Sequence, residues 1–155
     1  MSSWDATVRK ALQGMDVDAV LAHLGKANHV KRPGERWRQL VRELIPSPEI
    51  LIAMLRPFTP GGRLLPGAAE ASVAFGALWA ALEVPSPPLQ GVIAELVTWC
   101  QQQAGASHQV AYVAVQVLGL WEGEGARAAL ERFRDDPKLK SLLPGIKAGL
   151  RKHGA

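Results

Sequence analysis

Residues 108–136, HQVAYVAVQVLGLWEGEGARAALERFRDD, set the tightest condition on the fold. From Val110 to Leu118 the run is apolar almost all round, so whatever it forms must be covered on every side. Its valines also suit a buried strand, because β-branched side chains are stiff at χ1 and pack well on a pleated surface. Helix is the reading adopted. Ala111, Ala114 and Leu118 lie among the valines, the run outlasts a usual strand, and a short turn with Gly123 and Gly125 leads straight into another helix. In that second helix Ala126, Ala129, Leu130 and Phe133 fall at helical spacing, while Arg127, Glu131 and Arg134 take the opposite side. Pro137 stops it. The sequence therefore predicts two antiparallel helices, the first of which belongs in the middle of a stack.

The rest of the chain supplies helices to surround it. Ser3 is placed to cap a first helix bearing Trp4, Val8, Ala11, Leu12 and Met15. Asp16 caps a second with Val17, Val20, Leu21 and Leu24, closed by Gly25. A basic connector, KANHVKRPG, leads to a third helix whose Trp37, Leu40, Val41, Leu44 and Ile45 make the cleanest apolar stripe in the chain. Pro46 and Pro48 bracket the turn to a fourth, with Ile50, Leu51, Met54, Leu55 and Phe58 inward. Residues 57–66, centred on Pro60, Gly61 and Gly62, form the one hinge candidate. A fifth helix is expected over 67–83 and a sixth over 88–103, the PSPP turn between them placing proline at a helix start. Past Pro137, Leu139, Leu142, Leu143, Ile146 and Leu150 are in phase, and Pro144 inside that segment should kink it. About nine helices result, in one all-α domain spanning 1–155, long enough to bury roughly 70% of its unfolded surface.

Charge is laid out unevenly. Residues 1–65 carry a net +4, residues 66–126 a net −5 and residues 127–155 a net +5. The 61 residues of the middle segment contain no Lys or Arg at all. Exposed helix faces usually carry cations, so these helices should be covered by neighbours or by a partner.

No chemistry stands out. His23, His29, His108 and His153 lack metal-binding spacing, and no phosphate-cradling or nucleophile-elbow motif occurs. Cys100 is in register with Leu89, Val92, Ile93, Leu96 and Val97, which makes it a buried structural thiol rather than a nucleophile. Gly61 and Gly62 before Arg63 read as an ordinary loop rather than a phosphate site, and Asp135 with Asp136 as a helix end rather than a cation site. Most tryptophans sit on core stripes; Trp79 shares a strip with Ser72, Gly76 and Glu83, and its exposure stays open. The chain is read as non-catalytic, with no metal and no cofactor. The N-terminus has no signal-peptide core and no apolar run is long enough to span a bilayer, so a cytoplasmic location away from membranes is expected.

Ala114, Leu118 and Gly119, a turn, then Ala126, Leu130, Asp135 and Asp136 and a renewed apolar helix resemble a HEAT-like, armadillo-type repeat, best over 108–150. Gly91, Ala94, Leu96 and Trp99 also align with Gly125, Ala128, Leu130 and Phe133 at an offset of 34, and Gly76 with Gly119 at 43. The resemblance implies a short right-handed α-solenoid of stacked antiparallel helix pairs, and a scaffold function. In such proteins the second helix of each pair lines the concave side, which implies a partner surface at Arg56, at Glu95, Thr98 and Gln102, and at Arg127, Glu131 and Arg134. The expected partner is another protein; self-association is left open. The alternative is nucleic acid, held by Lys31, Arg32, Arg36, Arg38, Arg42, Arg56 and Arg63. Arg38 and Arg42 are like charges one helical turn apart, unfavourable unless an anion is near.

Overall fold

The computed structural model describes residues 3–154, Ser3 by its backbone alone. Among the described residues there are nine α-helices and no strand: α1 (Ser3–Ala11), α2 (Val17–Leu24), α3 (Glu35–Leu44), α4 (Pro48–Leu55), α5 (Ala68–Ala80), α6 (Pro87–Cys100), α7 (Ala106–Leu120), α8 (Glu124–Arg134) and α9 (Leu143–Lys152). A 3-10 turn at Arg56–Phe58 leads out of α4, and a longer 3-10 segment at Pro137–Leu142 leads into α9. None of these helices is long and apolar enough to cross a membrane.

The starts are set by the residues the sequence marks. Asp16 accepts the Ala19 amide, Ser47 that of Glu49 and Ser86 that of Leu89, relieving amides that the first helical turn leaves without partners. The capping role of Ser3 lies outside the described residues. The C-terminal segment departs from expectation. Instead of one helix kinked at Pro144, the chain makes a 3-10 turn in which Leu139 leaves helical dihedrals (φ −101°, ψ 18°), and α9 begins afresh with Pro144 in its first turn. There the missing amide is one that would have had no helical partner anyway.

Two rows of helices hold the core. In the first, α1 packs on α4, α4 on α6 and α6 on α8; in the second, α2 packs on α5, α5 on α7 and α7 on α9. The rows are joined by α4 against α5, α6 against α7 and α8 against α9. Thus α7 is enclosed by α5, α6, α8 and α9, and Val110, Val113, Val115, Val117 and Leu118 are fully buried. The sequence reading couples α7 with α8. They do touch, but α7 packs most extensively on α6, and α8 on α9.

Helix C-termini leave carbonyls unpaired, and burial makes that costly. Side chains from other elements answer the need. Trp4 donates its indole N–H to Met54 O (2.8 Å), Trp37 to His23 O (2.9 Å), and the Ser107 hydroxyl to Cys100 O (2.6 Å). His153 Nε2 lies 2.9 Å from Leu118 O, the terminal carbonyl region of α7. His23 Nε2 and Trp37 O are paired in turn at 2.9 Å, with the two rings stacked at 4.9 Å, which anchors α3 to α2. The apolar stripe of α3 is accordingly only partly covered: Val41 and Ile45 are buried, Leu40 is 36% exposed.

The connector 26–34 is no free linker. Asn28 O accepts the indole N–H of Trp79 on α5 (2.9 Å), His29 O accepts the Gln116 amide on α7 (3.3 Å), and the His29 ring leans on Phe75. The Asn28 side chain takes the amides of Val30 and Lys31, which turns the strap. With this strap on one side and α2, α4 and α7 on the others, eight of the 13 residues of α5 are buried, Trp79 among them at 1% exposure. Over α5, then, the absence of Lys and Arg goes with burial by its own neighbours, whereas Gly91, Glu95, Thr98 and Gln102 further along the same cation-free segment are exposed. Trp79→Phe keeps most of the ring volume and removes the donor. We expect it to cost about 1–2 kcal/mol in chemical denaturation and to speed amide exchange across 26–34; unchanged stability and exchange would mean the indole bond does not hold the strap.

Candidate functional site

A cleft of about 660 Å³ opens in the first row where α1, α4 and α6 meet the loop after α4. Ala53, Pro57 and Leu64 give it apolar walls, Thr7 and Thr59 polar ones, and Arg56 and Glu95 charged ones. Arg56 and Glu95 are both exposed and in no ion pair within 4 Å among the described residues. A cation and an anion, 39 positions apart in the chain, thus face one cleft. Such an arrangement suits a segment offering the opposite charges and an apolar residue between them.

The loop that forms the cleft wall is closed on itself. Arg63 N–H donates to Thr59 O (2.8 Å) and Leu64 N–H to Pro57 O (2.9 Å), while the Thr59 hydroxyl donates to Arg56 O (2.7 Å). Gly62 is required: a Cβ there would overlap the backbone of Arg56 and Pro57. Arg63 adopts φ 63°, a left-handed backbone uncommon outside glycine. Its guanidinium lies 5.9 Å from the centre of the Trp99 ring, and Trp99 in turn donates to Leu64 O (2.8 Å). The thiol of Cys100 points at Phe58 O (3.6 Å), so α6 holds the loop at three points.

Of the other residues predicted to meet a partner, Thr98 is exposed on α6 and Gln102 in the turn that follows it, both outside the cleft. Arg127 and Glu131 are half-buried and paired with each other at 3.1 Å. At the 34-residue offset they stand where α6 has Ile93 and Val97, both fully buried, so α8 turns a different side outward than the sequence suggests. Arg134 binds Asp135 at 3.3 Å and lies at a separate cleft near α9. All seven residues are carried by α4, α6 and α8 or their ends, members of one row, but of residues on different helices only Arg56 and Glu95 line a common cleft. Thr7 and Thr59 were not legible as site residues, because their place depends on α1 lying beside α4.

The cations considered for nucleic acid are arranged differently. Glu83, whose side chain is 7% exposed, receives Arg32 at 3.0 Å and Arg42 at 2.5 Å. Glu35 receives Arg38 at 2.8 Å and Arg42 at 2.7 Å. The anion that an Arg38–Arg42 pair needs is therefore the protein's own, and Arg42 holds the Glu35 carboxyl below the usual carboxylate range. Lys31 and Arg36 are exposed, and Arg63 lies at the first-row loop. Glu83 as the hub could not be found from local spacing, since its partners lie 51 and 41 residues away.

Among the described residues no three His, Cys, Asp or Glu side chains gather as a metal site. Cys100 is fully buried, and burial pushes its thiol up to about 12. The folded state keeps that proton where an unfolded chain gives it up, so the contribution is complete below about pH 9 and is lost as pH climbs toward 12. We expect no alkylation of Cys100 by iodoacetamide in the native protein at mildly alkaline pH, and rapid alkylation in denaturant. Prompt native-state labelling would contradict the burial. No protein-family model, curated protein or solved structure matches the chain.

Proposed function

We propose that the chain is a non-catalytic protein-interaction module, a HEAT-like α-solenoid of armadillo type that works in the cytoplasm without a cofactor. The cleft carrying Arg56 and Glu95 supports this reading most directly: two residues chosen as partner contacts from separate helices line the same recess. The two-row contacts of the helices agree with stacked pairs, as does the 34-residue offset, which relates α6 to α8 within one row. Nucleic acid is the weaker reading, because Arg32, Arg38 and Arg42 already face Glu83 and Glu35.

Affinity capture from the native host, identified by mass spectrometry with and without nuclease, tests the proposal. The same protein should be retained in both arms and lost with the Arg56→Glu, Glu95→Arg double variant, whose melting curve should match the parent. Capture that disappears with nuclease, or a double variant that keeps its partner, would overturn it.

A further inference from the structure

The last 19 residues hold five cations and no acid. Lys138, Lys140, Lys147, Arg151 and Lys152 are all exposed, and none is in an ion pair within 4 Å among the described residues. This contrasts with Arg32, Arg38 and Arg42, each of which meets a carboxylate. Three of the free cations are not scattered. Lys140, Leu143, Pro144, Lys147 and Arg151 line one cleft of about 480 Å³ along α9, three cations beside two apolar residues. From Lys147 to Arg151 is one helical turn, and Lys140 lies ahead of Leu143 across the junction with the 3-10 turn, so the strip is about 16 Å long, roughly three turns of helix.

We propose that this strip docks a short amphipathic helix of another protein, one that presents acidic side chains on either side of apolar anchors. Leu143 and Pro144 offer aliphatic contact beside the charges, which a phosphate backbone does not return. The neighbouring cleft points the same way. It shares Lys140 and Leu143 but adds Asp135, which is paired with Arg134, and Asp136, which is in no ion pair within 4 Å among the described residues, so a polyanion running past Lys140 would meet a carboxylate that no cation balances. A finite acidic helix ends before it. The strip also contains no aromatic side chain on which an unpaired base could stack. It is separate from the cleft at Arg56 and Glu95, and the inference stands whether or not that cleft binds a protein.

The test is selection of short random peptides on the immobilised full chain, followed by titration of labelled winners by fluorescence anisotropy. The winners should be rich in Asp and Glu at helical spacing with leucine-like residues between, and should bind less tightly as salt rises. The Lys147→Glu, Arg151→Glu double variant should weaken them about tenfold or more while melting like the parent, and should instead bind the same peptides with Lys in place of Glu. Winners without acidic residues, equal affinity for parent and variant, or duplex DNA that displaces the peptides and binds through the same two residues would overturn the proposal.

Discussion

Gly76→Ala should destabilise the fold by about 3 kcal/mol, the upper end of what overpacking a core usually costs. Gly76 lies on α5 where α2 crosses it, and a Cβ at that position would overlap the Cα, carbonyl carbon and oxygen of Leu24. Those are backbone atoms, so no rotamer change relieves the clash. The two helices must move apart, and with them the second row and the strap that lies over α5. Gly91→Ala is the internal control. Gly91 is in α6 with nothing within 4 Å of a built Cβ, so there the change removes only the backbone freedom of an exposed helical glycine and should stabilise by about 0.5–1 kcal/mol. Urea denaturation of both variants reads the pair. A Gly76→Ala protein as stable as the parent would mean that α2 and α5 are not packed backbone to backbone.

Leu118→Ala should cost about 2–5 kcal/mol, since it opens a cavity that the surrounding helices can only partly collapse. Leu118 is fully buried near the end of α7, beside the crossing where Gly119 meets Gly149 of α9. A Cβ built on Gly119 lies 2.8 Å from the Gly149 Cα, so the backbones already stand as close as two glycines allow and have little room to settle inward. Chemical denaturation that finds a loss under about 1 kcal/mol would place α7 at a surface rather than between four helices.

What could be read from the chain follows the range over which each feature is determined. Helical spacing, serine and aspartate caps and proline at helix starts act within one turn, and α2, α4, α6, α7 and α8 follow those marks closely. Even the contested valine run is helical over Ala106–Leu120, because enclosure by four helices favours packing over the modest strand preference of valine. The strap was not legible. KANHVKRPG has no apolar period, and its carbonyls are held by Trp79 and Gln116, donors 51 and 87 residues away. For the same reason Arg32 and Arg42 read as free cations until Glu83 is placed between them. Pro144 reads as a kink inside one helix because the apolar phase of Leu139, Leu142, Leu143 and Ile146 continues across a change from 3-10 to α geometry, which leaves the buried side unchanged while restarting the hydrogen bonding. Half of the candidate site was visible: Arg56 and Glu95 could be chosen as outward positions on their helices, but their meeting across a cleft with Thr7 and Thr59 depends on how the rows stack.

Hydrogen–deuterium exchange of the full chain, alone and saturated with the protein it captures, tests the central claim most directly. If the first-row cleft is the docking surface, protection should rise over the α4 end and its loop, residues 53–64, and over the α6 turn that carries Glu95, while the strap at 26–34 and the α3 arginines exchange as before. Protection confined to the strap and α3, or none anywhere at saturation, would contradict it.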